Sequence, residues 1–242
     1  MDCAVAFMDL LGFSALVSRA HSSQVDATKL IDIMTLFGSV ISKLDASVDW
    51  SVVTPDMVPR AAQFSDTIVL VAPLRVPGKP FYNGLETVTM RCIQIAHIAL
   101  DRGFLVRGGI DVGPIFRVGD NIAGSAYMNA YAAEQAAKHP RIVFCKKAED
   151  WWANNGTPGN QMRIKYNKVS MVNVLHASYM DDEADTPIVP VQFCESHFQR
   201  YLDTMLKQSN GKGLSCKVRN KWKWMIKYLK HAMQIQGLTP IS

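Results

Sequence analysis

Two aspartates stand beside continuous apolar stretches of the kind that form buried strands. Asp9 follows the stretch from Ala4 to Met8, and Asp66 precedes the stretch from Thr67 to Ala72. A single aspartate beside a strand is commonly a turn former or a helix cap. Two aspartates on neighbouring strand ends, however, suit a pair of Mg2+ or Mn2+ ions that are bound together with substrate phosphates.

The segment after Asp9 adds a place for phosphate groups. Gly12 allows the backbone to turn tightly, and Ser14 opens the polar–apolar pattern of a helix. The free N–H groups at a helix N-terminus bind phosphate. The sequence therefore predicts phosphate binding by Gly12, Phe13 and Ser14, next to cations held by the aspartates.

Arg107 is a third charged residue within a predicted strand, and it is followed by Gly108 and Gly109. Strand alternation places Arg107 on one face with Leu105, Gly109 and Asp111. Two interpretations stay open. Arg107 is either an edge-strand arginine in solvent beside a glycine-marked bulge, or a cation that faces a ligand whose approach requires small neighbours.

The elements that must position these side chains mix hairpins with helical crossovers. Residues 24–44 and 85–101 have helical spacing of apolar side chains, and the helix predicted over 123–138 carries a stripe of alanines that permits close packing. A strand is expected to turn back near Gly113 and Pro114. This order indicates an α+β fold, with a largely antiparallel sheet and helices on one face.

Composition and charge change along the 242 residues of the chain. The stretch from Met180 to Pro190 holds four acids and two prolines, which favours a boundary between a main domain at 1–180 and a helical extension at 181–242. The net charge is +5, and no acid follows Asp203. The basic residues that accumulate there are Lys207, Lys212, Lys217, Arg219, Lys221, Lys223, Lys227 and Lys230.

The cysteines and the hydropathy pattern predict a cytoplasmic protein with no membrane partner. Five scattered cysteines without a C-x-x-C pair fit reduced thiols and argue against a zinc site or a disulfide framework. No apolar run approaches the length of a spanning helix. The first strand begins almost at once, which leaves no room for the basic start of a signal peptide.

Four motifs together resemble the class III nucleotide cyclases in order and spacing. They are Phe7–Ser14, Phe64–Asp66, Arg107–Pro114 and the helix start at Gly124–Glu134. The resemblance covers roughly residues 3–145 and is closest to the Pycsar pyrimidine cyclases, bacterial anti-phage enzymes that make cyclic UMP or cyclic CMP. It implies a ferredoxin-like catalytic domain that works as a head-to-tail homodimer with active sites at the interface.

The resemblance also implies roles for single residues. Asp9 and Asp66 fall on the two acids that ligate two divalent ions, Mg2+ or Mn2+, and the carbonyl of Leu10 is a further metal ligand. Arg107 falls on an arginine that touches the triphosphate. Asp9, Asp66 and Arg107 are therefore the expected catalytic residues.

Several positions depart from the family pattern. Ala62 stands where purine cyclases carry a base-reading lysine, and Asn121 stands where an acid reads adenine. An amide offers both a donor and an acceptor to a base edge, so these base-binding positions favour a base other than adenine. In the family, an asparagine and an arginine on this helix stabilise the transition state, and Met128 and Ala132 occupy their positions here. Asn129 follows Met128 by one position, which is a rotation of about 100° around the helix.

The resulting prediction is a cyclase that converts UTP, or else CTP, into the 3′,5′-cyclic monophosphate and pyrophosphate. The product would be a second messenger in anti-phage defence, sensed by a separate effector protein that responds to the cyclic nucleotide. UTP is favoured because no arrangement of residues clearly selects an amino group. By hypothesis, positive charge missing from the phosphate site is supplied by the tail residues Lys217, Arg219, Lys221 and Lys223.

Three alternatives stay open. The basic tail with Trp222, Trp224 and Tyr228 suggests a nucleic-acid-binding protein, although packing explains these aromatic residues more simply and no nucleic acid is expected. Ala132 favours a cyclase-like binding module without catalysis, which the presence of two metal-binding acids opposes. The third alternative is an adenylate or guanylate cyclase with unusual base contacts.

Overall fold

The computed structural model describes residues 1–46, 53–118, 121–176, 195–211 and 214–235. The strands are β1 (Asp2–Leu11), β2 (Arg60–Phe64), β3 (Thr67–Pro73), β4 (Leu105–Val118), β5 (Asn121–Gly124), β6 (Ile142–Phe144), β7 (Arg163–Tyr166) and β8 (Val169–Val172). The helices are α1 (Phe13–Ala20), α2 (Gln24–Ala46), α3 (Gly84–Asp101), α4 (Ser125–Ala136), α5 (Lys146–Asn155), α6 (Glu195–Ser209) and α7 (Cys216–Ile235).

The first half of the described chain has a βαββαβ order. Its strands lie side by side as β2-β3-β1-β4, and each neighbouring pair is antiparallel. This is the strand order of a ferredoxin-like sheet. β6, β8 and β7 extend the sheet beyond β4, and β6 runs parallel to β4. The predicted α+β fold with a largely antiparallel, ferredoxin-like sheet is confirmed.

β1 is central, and its two faces pack into different apolar clusters. Ala4, Ala6 and Met8 point into the main core, whereas Val5 and Phe7 point into a smaller cluster on the opposite face. Because both faces are covered, β1 has the continuous apolar sequence of a buried strand rather than an alternating one. Strand alternation puts Asp9 on the face of Val5 and Phe7.

The expectation that the helices cover one face is wrong for α4. Side chains of α1, α2 and α3 join the main core, but Ala126 and Ala130 of α4 pack against the opposite face. A Cβ atom at Gly109 would lie 2.3 Å from the Ala130 carbonyl oxygen. The predicted alanine stripe therefore does allow close packing, and its partner is the glycine on β4.

The expected turn at Gly113 and Pro114 is also wrong. β4 continues through these residues to Val118 and pairs with β1 as far as Pro114, which lies opposite Asp2. Beyond that point β4 pairs with β5 instead. Since proline has no N–H to donate, Pro114 is suited to the place where β4 changes partner without changing direction.

The two C-terminal helices belong to the main core. Phe198 and Tyr201 of α6 and Tyr228 and Leu229 of α7 are buried in the same cluster as the sheet. The division at residue 180 lies outside the described residues and stays a prediction. Within the described parts of the chain, none of the helices combines the length and the apolar character needed to cross a bilayer.

Candidate active site

The sheet brings the two predicted acids to neighbouring strand ends. Asp9 lies near the end of β1, opposite Thr67 of β3. Asp66 lies in the two-residue turn between β2 and β3, where Ser65 has a positive φ of 58°. The backbone N–H of Leu10 donates to the Asp66 carbonyl oxygen at 3.2 Å. This hydrogen bond fixes the turn against the segment that carries Asp9.

The side chains of Asp9 and Asp66 are close enough for their charges to interact directly. Burial, together with the negative charges of Asp66 and Glu134, raises the pKa of Asp9 to about 7, and the Arg107 charge opposes this rise. A divalent cation bound beside Asp9 would favour its charged form and so oppose this rise.

The residues present fit a magnesium or manganese site of the type completed by substrate. In the described residues, no cluster of three or more His, Cys, Asp or Glu side chains could hold a metal ion. Asp9 and Asp66 provide two carboxylates. Mg2+ is usually held by one or two carboxylates together with substrate phosphates rather than by a full set of protein ligands.

Arg107 is not an edge-strand residue, because β4 pairs with both β1 and β6. Its guanidinium forms an ion pair with the wholly buried Glu134 and lies 3.5 Å from the Asp9 carboxylate. It also donates to the Ala137 carbonyl oxygen at 3.4 Å. Arg107 is thus half-buried, fixed on two sides, and directed at the predicted metal site.

Glu134 is the site residue that the sequence analysis missed. It is the charged partner of Arg107, and the side-chain amide of Gln135 donates to its second carboxylate oxygen at 2.6 Å. A signal for Glu134 was present, because it follows Ala126 and Ala130 at a spacing of four residues. That spacing puts a carboxylate on the buried side of α4, where a charge requires a partner.

The start of α1 offers backbone donors beside the acids. Gly12 has a φ of 96°, and no side chain caps the first turn of the helix. Phe13 is buried and anchors the turn, whereas Ser14 is exposed. The space where a Gly12 side chain would extend is open. The first-turn N–H groups are therefore available for phosphate.

The two predicted base-binding positions differ in their exposure. Ala62 is buried on the Asp9 face, opposite Val69 of β3. Asn121 is exposed on β5 opposite Val118, and its neighbour Ile122 packs against the smaller apolar cluster on the Asp9 face.

The exposed side of α4 lacks the polar groups that the resemblance implies. Met128 and Ala132 are both exposed. The amide of Asn129 does not take their place, because it donates to the Asp111 carboxylate at 2.8 Å. Asp111 is wholly buried, and this amide satisfies one of its two carboxylate oxygens.

The aromatic residues of α7 pack inside the protein. Trp222, Trp224 and Tyr228 are buried, which confirms the packing explanation and removes their side chains from use as a base-stacking surface. The Trp224 ring stacks on His139, with ring centroids 5.2 Å apart. The tail residue Lys221 is half-buried, whereas Lys217, Arg219 and Lys223 are exposed.

No protein-family model matches the chain, and a comparison with curated proteins finds no significant relative. Among solved structures, the adenylyl cyclase CyaB from P. aeruginosa is 13% identical, with a TM-score of 0.46, and the match covers 71% of this chain and 91% of that one. The monomeric guanylyl cyclase domain of the RhoGC fusion protein from the aquatic fungus Blastocladiella emersonii is 16% identical, with a TM-score of 0.48, and the match covers 70% of this chain and 92% of that one.

Proposed function

We propose that this protein is a nucleotide cyclase that converts a pyrimidine nucleoside triphosphate, UTP in preference to CTP, into the 3′,5′-cyclic monophosphate and pyrophosphate. The observation that carries the proposal is the placement of Asp9 and Asp66 on adjacent strand ends, which the hydrogen bond from the Leu10 N–H to the Asp66 carbonyl oxygen holds together. The half-buried Arg107 guanidinium lies 3.5 Å from Asp9. Two acids and a cation in this arrangement suit metal-assisted chemistry on a polyphosphate.

Each residue of the site would have a distinct task. Asp9, Asp66 and the Leu10 carbonyl would hold two Mg2+ or Mn2+ ions, which lower the pKa of the ribose 3′-hydroxyl and neutralise charge at the α-phosphate. The N–H groups of Gly12 to Ser14 would orient the phosphates. Arg107 would bind the departing pyrophosphate, and its ion pair with Glu134 holds the guanidinium ready before substrate arrives.

The proposed base selectivity rests on Ala62 and Asn121. The Ala62 methyl group makes no hydrogen bond to a base, so a purine would lose the contact that a lysine provides. Asn121 offers both a donor and an acceptor, which a uracil or cytosine edge can use.

The proposed enzyme is a head-to-tail homodimer with active sites at the interface. Exposed apolar side chains lie on the elements that such a partner would cover. They are Phe64, Phe116, Val118, Met128 and Tyr131.

A direct test is incubation with each of the four ribonucleoside triphosphates and Mn2+, with products identified by mass. The proposal predicts cyclic UMP as the main product and none from the Asp66→Asn variant. Cyclic AMP or cyclic GMP as the main product would refute the pyrimidine assignment, and the absence of any cyclic product would refute the cyclase.

The proposed biological role is anti-phage signalling in the cytoplasm. The cyclic nucleotide would act on a separate effector protein. The expected result is that cells carrying the cyclase and its effector resist phage, and that the Asp66→Asn variant does not protect them.

A second candidate function is a cyclase-like module that binds nucleotide without turning it over. The exposed Met128 and Ala132 favour it, since neither side chain can stabilise charge in a transition state. Such a module would bind a nucleoside triphosphate with Mg2+ in calorimetry and release it unchanged.

A further inference from the structure

Helix α7 is anchored beside the guanidinium of Arg107. Trp224 stacks on His139 with an angle of 7° between the ring planes. Two residues before His139, the Ala137 carbonyl oxygen accepts a hydrogen bond from Arg107. Lys221 precedes Trp224 by three residues, so the two side chains lie on the same side of α7, one turn apart. This geometry brings Lys221 towards the active-site cluster.

The Lys221 ammonium is half-buried among charges of the site. Burial and the charges of Arg107 and Lys217 lower its pKa, whereas the negative charges of Asp9 and Glu134 act in the opposite sense. Within the residues that the structure describes, Lys221 forms no ion pair of its own. A half-buried ammonium beside a guanidinium is costly unless an anion comes close to it.

We propose that Lys221 is a further catalytic residue, whose ammonium binds the triphosphate in the same chain that carries Asp9. It would supply the cation that α4 lacks at Ala132. This inference rests on the proposed cyclase function. It also selects Lys221 over Lys217, Arg219 and Lys223, which are exposed.

The charge of Lys221 would act on the leaving group. The ribose 3′-oxygen forms a bond to the α-phosphorus while the bond from that phosphorus to the bridging oxygen breaks. The electron pair stays on the bridging oxygen, which departs with pyrophosphate, and the 3′-hydroxyl proton passes to solvent. An ammonium near the departing phosphates stabilises the negative charge that develops there.

The test compares Lys221→Met, which keeps the apolar stem, with Lys221→Gln, Lys221→Arg and the control Lys227→Met. Lys227 is exposed on the same helix. Two measurements are made on the full chain: calorimetric binding of inorganic tripolyphosphate with Mg2+, and turnover of the four nucleoside triphosphates with Mn2+. A thermal melt identifies which variants are folded.

We expect Lys221→Met and Lys221→Gln to weaken tripolyphosphate binding about tenfold and to lower kcat/KM about 100-fold. Lys221→Arg should recover most of both, and Lys227→Met should match the wild type. A folded Lys221→Met or Lys221→Gln variant with wild-type binding and turnover overturns the Lys221 proposal and leaves the cyclase intact. If the wild type turns over no nucleotide but binds tripolyphosphate through Lys221, the cyclase is refuted and the phosphate-binding role of Lys221 stands.

Discussion

Asp9 and Asp111 lie on the same face of neighbouring strands, yet their surroundings differ sharply. Asp9 belongs to an acid-pair site formed with Asp66, Arg107 and Glu134. Asp111 belongs to a buried-acid site, in which the Asn129 amide donates to it and Cys145 lies nearby. The Asp9 side chain is 23% exposed and lies beside a second acid, whereas Asp111 is fully buried and held by a neutral amide.

The position of α4 explains this difference. Asn129, near the middle of the helix, lies over Asp111, whereas the Ala137 carbonyl that contacts Arg107 follows the last helical residue. Asp9 is therefore beside the end of the helix, where a ligand has access. A carboxylate covered by a helix needs internal hydrogen bonds, and one beside the end of a helix can be satisfied by a cation. Asp111 is therefore expected to serve stability, and Asp9 is expected to serve binding.

The largest predicted effect is the loss of activity when the acid pair is broken. Asp66→Asn removes one carboxylate, so the two metal ions lose a charged ligand, and kcat/KM should fall about 10³-fold or more. Initial rates with UTP and Mn2+ measure the loss, and Mn2+ binding should weaken in parallel.

Asp111→Asn is the matched control for that experiment. It changes an acid that lies on the same face of the sheet as Asp9 but outside the acid pair. It should keep activity within about tenfold of the wild type. Equal loss in Asp66→Asn and Asp111→Asn would contradict the division into a binding acid and a structural acid.

A second prediction concerns the buried end of the Arg107 ion pair. Glu134→Gln keeps the shape of the side chain but leaves the guanidinium without its buried counter-charge. Removing one partner of a buried pair costs about 3 kcal/mol, at the low end of the usual range because Arg107 is partly exposed. Urea unfolding measures this loss, and the activity should fall about tenfold because Arg107 is less well positioned.

Glu149→Gln is the control for Glu134→Gln, since Glu149 is a less buried acid on a different helix. It should change the free energy of unfolding by less than about 0.5 kcal/mol. An unchanged unfolding free energy in Glu134→Gln would show that the ion pair does not hold Arg107.

The sequence was sufficient to predict most of the fold and the placement of Asp9 and Asp66 at neighbouring strand ends, because those signals are local. An apolar run followed by Asp9, and another preceded by Asp66, depend on residues close in the chain. The ion pair between Arg107 and Glu134 and the approach of Lys221 depend on how α4 and α7 pack. Periodicity shows that a helix has an apolar side, but it does not show which face of the sheet that side covers.

Gly108 and Gly109 illustrate the same limit. The sequence indicated that small residues were needed beside Arg107, and the structure gives a packing reason rather than a ligand. A Cβ atom at Gly108 would lie 2.6 Å from the Phe7 carbonyl oxygen, and one at Gly109 would meet Ala130. The spatial neighbours that require glycine are a strand and a helix distant in sequence.

A third prediction examines the buried-acid site. Asn129→Ala removes the donor to the fully buried Asp111 carboxylate, which should reduce the free energy of unfolding by about 2 kcal/mol. Chemical denaturation measures the change. Met128→Ala, at the adjacent exposed position, should cost less than about 0.5 kcal/mol. Similar losses in the two variants would mean that the amide does not stabilise Asp111.

The smallest predicted effect is a change in the reactivity of Cys145, which reports the charge on Asp111. Burial, then the negative charges of Asp111 and Glu149, raises the pKa of the Cys145 thiol to about 12. Only the thiolate is alkylated, so its reaction with iodoacetamide should be slow at pH 8 and should rise about tenfold for each further pH unit below 12.

Asp111→Asn should accelerate this alkylation several-fold at a fixed pH, because the thiol pKa falls when a neighbouring negative charge is removed. Glu149→Gln should have a smaller effect, since Glu149 contributes less to the shift. Peptide mass spectrometry follows the label at Cys145. If Asp111→Asn leaves the rate unchanged, the Asp111 side chain does not act on the Cys145 thiol.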